Sequence, residues 1–301
     1  MLDLATLTTE TRNADTMNLD RMTPEEFVRV MNREDQKVAK AVEKVLPQIA
    51  QAIAWAVEAL EKGGRIIYVG AGTSGRLGIL DAAECPPTFG VSPNQVVGII
   101  AGGTKALTEA VERAEDSESL CEQDLRKIRL SEKDLVIGLA TSGRTPYVLY
   151  GLRYAGQLGC RTVGISCNAG TALSKEADLA IEAVTGPEVL TGSTRLKAGT
   201  AQKMILNMIS TGSMVGIGKA YENLMVDVQQ SNEKLMVRAR NITMEATGCT
   251  EQEAEQALKA ADGYVKKAIL MILLKCSASE ADKALENAGG HIRKALEADN
   301  P

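Results

Sequence analysis

Apolar residues recur at helical spacing between Asp35 and Leu60: Val38, Val42, Val45, Leu46, Ile49, Ile53, Val57 and Leu60. Pro47 interrupts the stripe, so the spacing predicts two helices or one kinked helix. Upstream, Thr23-Pro24-Glu25-Glu26 reads as a helix start. Thr23 can cap, Pro24 suits the first helical position, and Glu26 follows the cap by three. From about residue 56 the pattern changes. Short β-branched runs at 66–69, 96–100, 135–139, 162–165 and 179–181 alternate with helical patterns at 77–84, 106–115, 146–158 and 172–175. Continuous apolar strands alternating with helices predict an α/β fold whose parallel sheet is flanked by helices on both faces. Beyond residue 221 the pattern is helical throughout. Thr250-Glu251-Gln252-Glu253 looks like a capping box, and Ser279-Glu280-Ala281-Asp282 reads as another start. A small module of three short helices is expected at 250–261, 265–274 and 280–287. The chain thus divides into a helical N-terminal segment (1–55), an α/β domain (56–220) and a helical C-terminal module (221–301).

Composition narrows the chemistry. The 301 residues are 45% hydrophobic and 24% charged, ordinary for a folded soluble chain. The net charge of −5 offers no basic excess for nucleic acid or an anionic membrane. With one Trp and two Phe, the core must be built from aliphatic residues. A single histidine, His291, rules out multi-His metal sites and leaves none to spare for a Ser-His-Asp triad. The six cysteines form no CxxC and match no metal framework, so a reduced, cytoplasmic protein is expected. Asp3 and Glu10 with no apolar run argue against a signal peptide, and the longest apolar stretch, 268–274, is too short for a membrane span.

Two loops stand out at the expected carboxyl ends of strands, where ligands bind in such folds. The first is Gly70-Ala71-Gly72-Thr73-Ser74-Gly75-Arg76, the second Thr141-Ser142-Gly143-Arg144-Thr145-Pro146. A strand, a Gly/Ser/Thr loop and a helix start make an anion site, because opening N–H groups lack partners and the helix dipole favours negative charge. The first loop has G-x-G-x-x-G spacing, but no ribose-binding acid ends the second strand and no Gly-Lys-Ser/Thr ending is present. Two hydroxyl-rich loops without nucleotide hallmarks fit a small phosphorylated ligand.

Ser142-Gly143-Arg144-Thr145 resembles the phosphate loop of sugar isomerase (SIS) domains. The longer strings resemble the N-acetylmuramic acid 6-phosphate etherase family nearly end to end. They are 7–13, 70–78, 84–90, 114–116, 192–203 and 223–227. The family's usual Met stands as Leu196 here, a volume-conserving change. The resemblance implies an SIS-type parallel sheet and a UBA-like C-terminal module. It also implies cleavage of the D-lactyl ether of N-acetylmuramic acid 6-phosphate, giving N-acetylglucosamine 6-phosphate and D-lactate. It implies no metal and no cofactor. A homodimer is expected of SIS proteins, and the apolar segment 201–215 could supply its interface.

The ether oxygen sits on C3, beta to the aldehyde of the open-chain sugar, so the C2 proton is acidic. Elimination needs a base at C2 and an acid at the leaving oxygen, and water then adds back. The resemblance places the acid on Glu84, which the pattern puts at the end of a helix before Pro86, and the base on Glu115. Phosphate binding falls to Ser142 and Thr145, supported by Thr141, Gly143, Thr73 and Ser74. Thr194 is expected to orient the sugar. Lys197 and Arg195 could meet the lactyl carboxylate or the phosphate, or form a structural ion pair. Arg76 and Arg144 could likewise meet an anion or only the protein surface. Cys85 reads as a small buried hydrophobe and His291 as structural or exposed. A non-catalytic sugar-phosphate regulator and an aldose–ketose isomerase would share the fold, and lactate release separates both from an etherase. A DNA-binding regulator lacks a basic recognition helix within residues 1–55.

Overall fold

A computed structural model describes residues 7–228 and 233–299; residues 1–6 of the N-terminal segment lie outside the described residues. The helical N-terminal expectation holds. Helix α1 (Pro24–Glu43) opens on a capping box in which Thr23 accepts from the Glu26 N–H and the Glu26 carboxylate takes the Thr23 N–H. Helix α2 (Leu46–Glu61) begins afresh, with Pro47 in its first turn, where its missing N–H costs nothing. Between them Val45 leaves helical geometry, so Pro47 divides the stripe into two helices.

The sheet follows as expected: β1 (Ile66–Gly70), β2 (Val96–Ile100), β3 (Leu135–Leu139), β4 (Arg161–Ser166) and β5 (Leu179–Glu182). All pairings are parallel, in the order β2-β1-β3-β4-β5. Every residue of β1 and β3 is buried, the signature of a sheet covered on both faces. Between the strands run α3 (Gly72–Phe89), α4 (Leu120–Lys127), α5 (Pro146–Gln157) and α6 (Ala172–Glu176). Ile67, Val69 and Val136 pack on Cys121 and Leu125 of α4 and on Tyr147, Val148 and Leu152 of α5. The alternate side chains serve the other face, where Tyr68 lies under Gly78 of α3 and its hydroxyl donates to Asp81.

Two helical expectations are corrected. Residues 106–115 are not a helix. A 3₁₀ turn at Gly103–Leu107 gives way to irregular chain, in which Arg113 takes a left-handed backbone (φ 62°). Few apolar residues there could bury a helical face, and Gly102 and Gly103, both at positive φ, interrupt the entry. Conversely, α3 does not stop before Pro86 but runs through Pro86 and Pro87 to Phe89. Burial of Cys85 and Phe89 and a Gly90 N–H to Pro86 carbonyl bond hold this last turn against the prolines' missing donors.

Helix α7 (Lys197–Gly216) is followed by a short antiparallel hairpin, β6 (Ala220–Tyr221) and β7 (Leu224–Met225), so the chain beyond 221 is not helical throughout. Among the described residues five helices follow rather than three: α8 (Glu233–Thr247), α9 (Glu251–Ala260), α10 (Val265–Leu274), α11 (Ala278–Asn287) and α12 (Ile292–Asp299). The Thr250–Glu253 capping box is present, and α11 starts two residues earlier than expected, with Ser277 paired to Glu280. Their core includes Val226, Ile242, Leu258, Ile269, Leu270 and Ile292. His291 is half-buried and Cys85 fully buried. The chain forms two compact units. One takes the chain up to Ala83 together with Asn94–Ser210, the other Glu84–Pro93 together with the chain from Thr211 onward.

In the first unit a buried ionic cluster ties the N-terminal helix to α7. The Lys197 ammonium lies 2.6 Å from Glu34 Oε2, and both side chains are almost wholly buried. Asn13 Nδ2 donates to the same oxygen at 2.9 Å, and Lys37 pairs with the other oxygen. Glu188, also buried, accepts from the Lys197 and Ala198 N–H groups and so caps the start of α7. Burial pushes the Glu34 carboxyl up, but hydrogen bonds from Lys197, Lys37 and Asn13 outweigh it and hold the pKa at about 2, against an ordinary 4.5. A carboxyl depressed by folding stabilises above its unfolded value. This contribution is therefore complete above about pH 4.5 and is lost as pH falls towards 2. Replacing Lys197 by Met leaves Glu34 buried without its buried cation, which is expected to cost about 3 kcal/mol in urea unfolding. The same variant should lose less stability than the wild type between pH 4.5 and 2. An unchanged unfolding midpoint would overturn this role.

Candidate active site

The β1–β3 pairing sets Gly70 beside Leu139, so the loops that leave these two strands lie side by side. The strand order reverses at β1, and this crevice is the topological switch point of the sheet. A cavity of about 1030 Å³ opens there. It is lined by Thr73 and Ser74 from the first loop and by Thr141, Ser142, Arg144 and Thr145 from the second. Glu10, Glu115, Asp116 and Thr194 complete its polar wall.

The first loop turns tightly. A Cβ on Gly70 would come within 2.7 Å of the Gly75 nitrogen, and one on Gly75 within 2.6 Å of Ile100. Only glycine allows this fold-back, which starts α3 immediately beyond the strand. The opening N–H groups of α3 then stand at the cavity without intrahelical partners. Ser74 is buried, and its hydroxyl donates to Gln202 Oε1 at 2.8 Å. What Ser74 offers an anion is therefore its backbone N–H more than its hydroxyl.

The second loop works the other way round. The α5 amides are largely taken, since Tyr147 N–H donates to the Glu115 carbonyl at 3.0 Å and Val148 N–H to the Thr145 carbonyl. Thr145 is the N-cap residue, yet its hydroxyl makes no capping bond. Ser142 Oγ accepts from the Arg144 N–H at 3.3 Å and keeps its own proton. This loop offers hydroxyl donors, with the α5 dipole behind them. Gly143 shapes the turn with φ 66°, its N–H bonded to the Ala140 carbonyl.

Glu115 reaches the cavity through backbone rather than helix geometry. Its carbonyl is pinned to α5, and Arg76 donates to the carbonyls of Leu107 and Glu109 at 3.1 and 3.3 Å, holding the irregular segment that leads to it. Arg76 is thus a prop for this segment rather than an anion ligand. Among the described residues the Glu115 carboxylate has no hydrogen-bond or ion-pair partner, and it is exposed to the cavity.

The structure therefore gathers Thr73, Ser74, Glu115, Thr141, Ser142, Thr145 and Thr194 around one space, with Gly143 in the loop beneath. Two expected residues are elsewhere. Lys197 is not in the lining; its ammonium is buried in an ion pair with Glu34. Glu84 lies in α3 within the second unit, exposed and outside the lining of this cavity. The segment 201–215 is also largely spent inside the chain, since Ile205, Leu206, Ile209 and Met214 are fully buried. Sequence reasoning missed Glu10 and Asp116. Asp116 adjoins Glu115 in a matched string, and Glu10 lies in the matched N-terminal string, but neither has a local pattern that marks a site.

Paired hydroxyl-rich loops at the switch point, with free carboxylates beside them, define an SIS-type sugar-phosphate protein. Residues 107–211 match the SIS domain model, and residues 48–156 match that of the glucokinase regulatory protein N-terminal SIS domain. The N-acetylmuramic acid 6-phosphate etherase of Geobacillus sp. (strain WCH70) is 60% identical over 272 residues, 90% of this chain and 92% of its own. That of Lactococcus lactis subsp. cremoris (strain SK11) is 61% identical over 268 residues, 89% and 90% of the two chains. The phosphoheptose isomerase GmhA of Neisseria gonorrhoeae is 17% identical, with a TM-score of 0.49 over 63% of this chain and 97% of its own. The chain belongs to the N-acetylmuramic acid 6-phosphate etherase family.

The second loop offers a direct test of the anion site. A Cβ on Gly143 would lie 2.3 Å from Thr171 Cβ, at a backbone angle that side chains rarely adopt. Gly143→Ala is expected to cost about 2 kcal/mol or more in stability and to weaken inorganic phosphate binding in calorimetry. Unchanged phosphate affinity would remove this loop from the site.

Proposed function

We propose that this chain cleaves the D-lactyl ether of N-acetylmuramic acid 6-phosphate, with Glu115 as the base at C2. The products are N-acetylglucosamine 6-phosphate and D-lactate. The observation that carries the reading is the Glu115 carboxylate, without a protein partner among the described residues, in the same cavity as both hydroxyl-rich loops. The α3 amides and the hydroxyls of Ser142 and Thr145, with Thr73 and Thr141 beside them, hold the 6-phosphate, and Thr194 orients the sugar. Phosphate held there brings the open-chain sugar against Glu115. The carboxylate takes the C2 proton, made acidic by the C1 aldehyde, and the C3–O bond breaks. The lactate oxygen leaves with a proton, and water adds at C3 of the conjugated aldehyde. Glu84 has the acid's role at the leaving oxygen on the family resemblance alone.

Among the described residues no helix is long and apolar enough to cross a membrane. The same reading takes the enzyme as a cytoplasmic homodimer without a nucleic-acid partner. The acidic net charge supports the last point, and the SIS resemblance supports the dimer.

Turnover in heavy-oxygen water should release D-lactate and leave the new oxygen on the sugar C3 hydroxyl. Glu115→Ala and Glu84→Ala are each expected to lower turnover by about 10²- to 10⁴-fold while keeping the fold. In deuterium oxide the two should differ. Glu84→Ala should still exchange the C2 hydrogen, whereas Glu115→Ala should not. Near-normal turnover in either variant would remove that residue from the mechanism. A folded protein that binds the sugar phosphate but releases no lactate would be a regulator instead.

A further inference from the structure

The cavity holds a carboxylate that the reaction does not use. Glu10 lines it from a single 3₁₀ turn, Thr8–Glu10, near the start of the chain. The turn is fastened by one buried amide. Asn168 Oδ1 accepts from Thr8 Oγ1 at 2.9 Å and from the Thr9 N–H at 3.4 Å. Its Nδ2 donates to Thr9 Oγ1 and to the Thr141 carbonyl, both at 3.0 Å. Asn168 is itself fixed, with the Ser166 hydroxyl donating to its carbonyl at 2.9 Å. Asn168 thus bolts the turn to the first residue of the second anion loop.

The end of this turn is left room on one side. A Cβ on Gly192 would stand 3.5 Å from Glu10 Oε2, and Gly192 begins the turn that carries Thr194. Among the described residues the Glu10 carboxylate has no hydrogen-bond or ion-pair partner, and it is half-buried. A carboxylate only accepts hydrogen bonds at neutral pH, and beside a bound phosphate it is repelled. Its place in an anion-binding cavity fits a neutral donor on the rest of the ligand.

We propose that Glu10 is a specificity residue of this site, its carboxylate accepting a hydrogen bond from a hydroxyl or amide N–H of the amino sugar. The proposal rests on the sugar-phosphate reading of the cavity and adds the group that tells sugar phosphate from phosphate alone. A hydrogen bond to a charged acceptor is worth enough to be read in kinetics.

The test compares the wild type with Glu10→Ala and Glu10→Gln in the full chain. The substrate is N-acetylmuramic acid 6-phosphate, and inorganic phosphate serves as a competitive inhibitor. Glu10→Ala should raise KM about 10- to 100-fold, with a smaller change in kcat, while the phosphate inhibition constant stays put. Glu10→Gln should lie between, because its amide oxygen still accepts. Asn168→Ala, which frees the turn without touching the ligand, should shift KM in the same direction. An unchanged KM in Glu10→Ala would overturn the proposal. So would a phosphate constant that weakens in step with KM, because the damage would then lie in the anion loop. Failure of phosphate to inhibit the wild type would count against the anion loops themselves, and Glu10 would then stand or fall on KM alone.

Discussion

Everything at this site depends on the parallel pairing of β1 with β3. A strand that follows β2 in sequence is placed on the far side of β1, and the two hydroxyl-rich loops become neighbours only because of that placement. Either loop alone is a tight turn into a helix. Side by side they combine two kinds of donor, the unpaired amides at the start of α3 and the hydroxyls before α5. Apart from Tyr68, which bonds Asp81, the side chains of these two strands are apolar. They are buried end to end, and apolar burial on both faces supplies the register's stability.

A second layer of constraint comes from far along the chain. Glu34, Lys197 and Glu188 form a buried cluster that fixes the start of α7, the helix that follows the Thr194 turn. Asn168 does the same for the N-terminal turn and the second loop. These are interactions whose loss costs more than their presence gains, because each would leave a buried polar group without its partner. The cavity's free carboxylates are the exception. They are half-buried or exposed, and among the described residues they have no protein partner.

The elements legible in the sequence are those set by local rules. The five strands, the division at Pro47 and the caps at Thr23 and Thr250 follow from residues a few positions apart. Segment 106–115 was misleading because its sparse apolar residues fit a helical spacing but lack a face to bury. Pro86 and Pro87 misled in the opposite sense, since tertiary burial of Phe89 overrides their local preference. Ser142, Thr145 and Glu115 were legible through their strings, and the structure shows why they meet. Lys197 and Glu10 were not, because their surroundings come from partners more than 150 residues away in sequence. No window along the chain shows that a lysine faces a glutamate from the first helix.

The path of the chain through its two compact units has a consequence for how the protein comes into being. Glu84–Pro93 belongs with the C-terminal helices, although it is synthesised more than 100 residues before Thr211. Cys85, Phe89 and Val91 are buried in the finished molecule, and the rest of their compact unit is synthesised only after β5. The C-terminal helices are one part of a unit whose other part lies in the first third of the chain. In a chain ending at Ser210, Gly90 would lack the Asp227 carbonyl that it lies against. Completion of this unit is therefore tied to completion of synthesis.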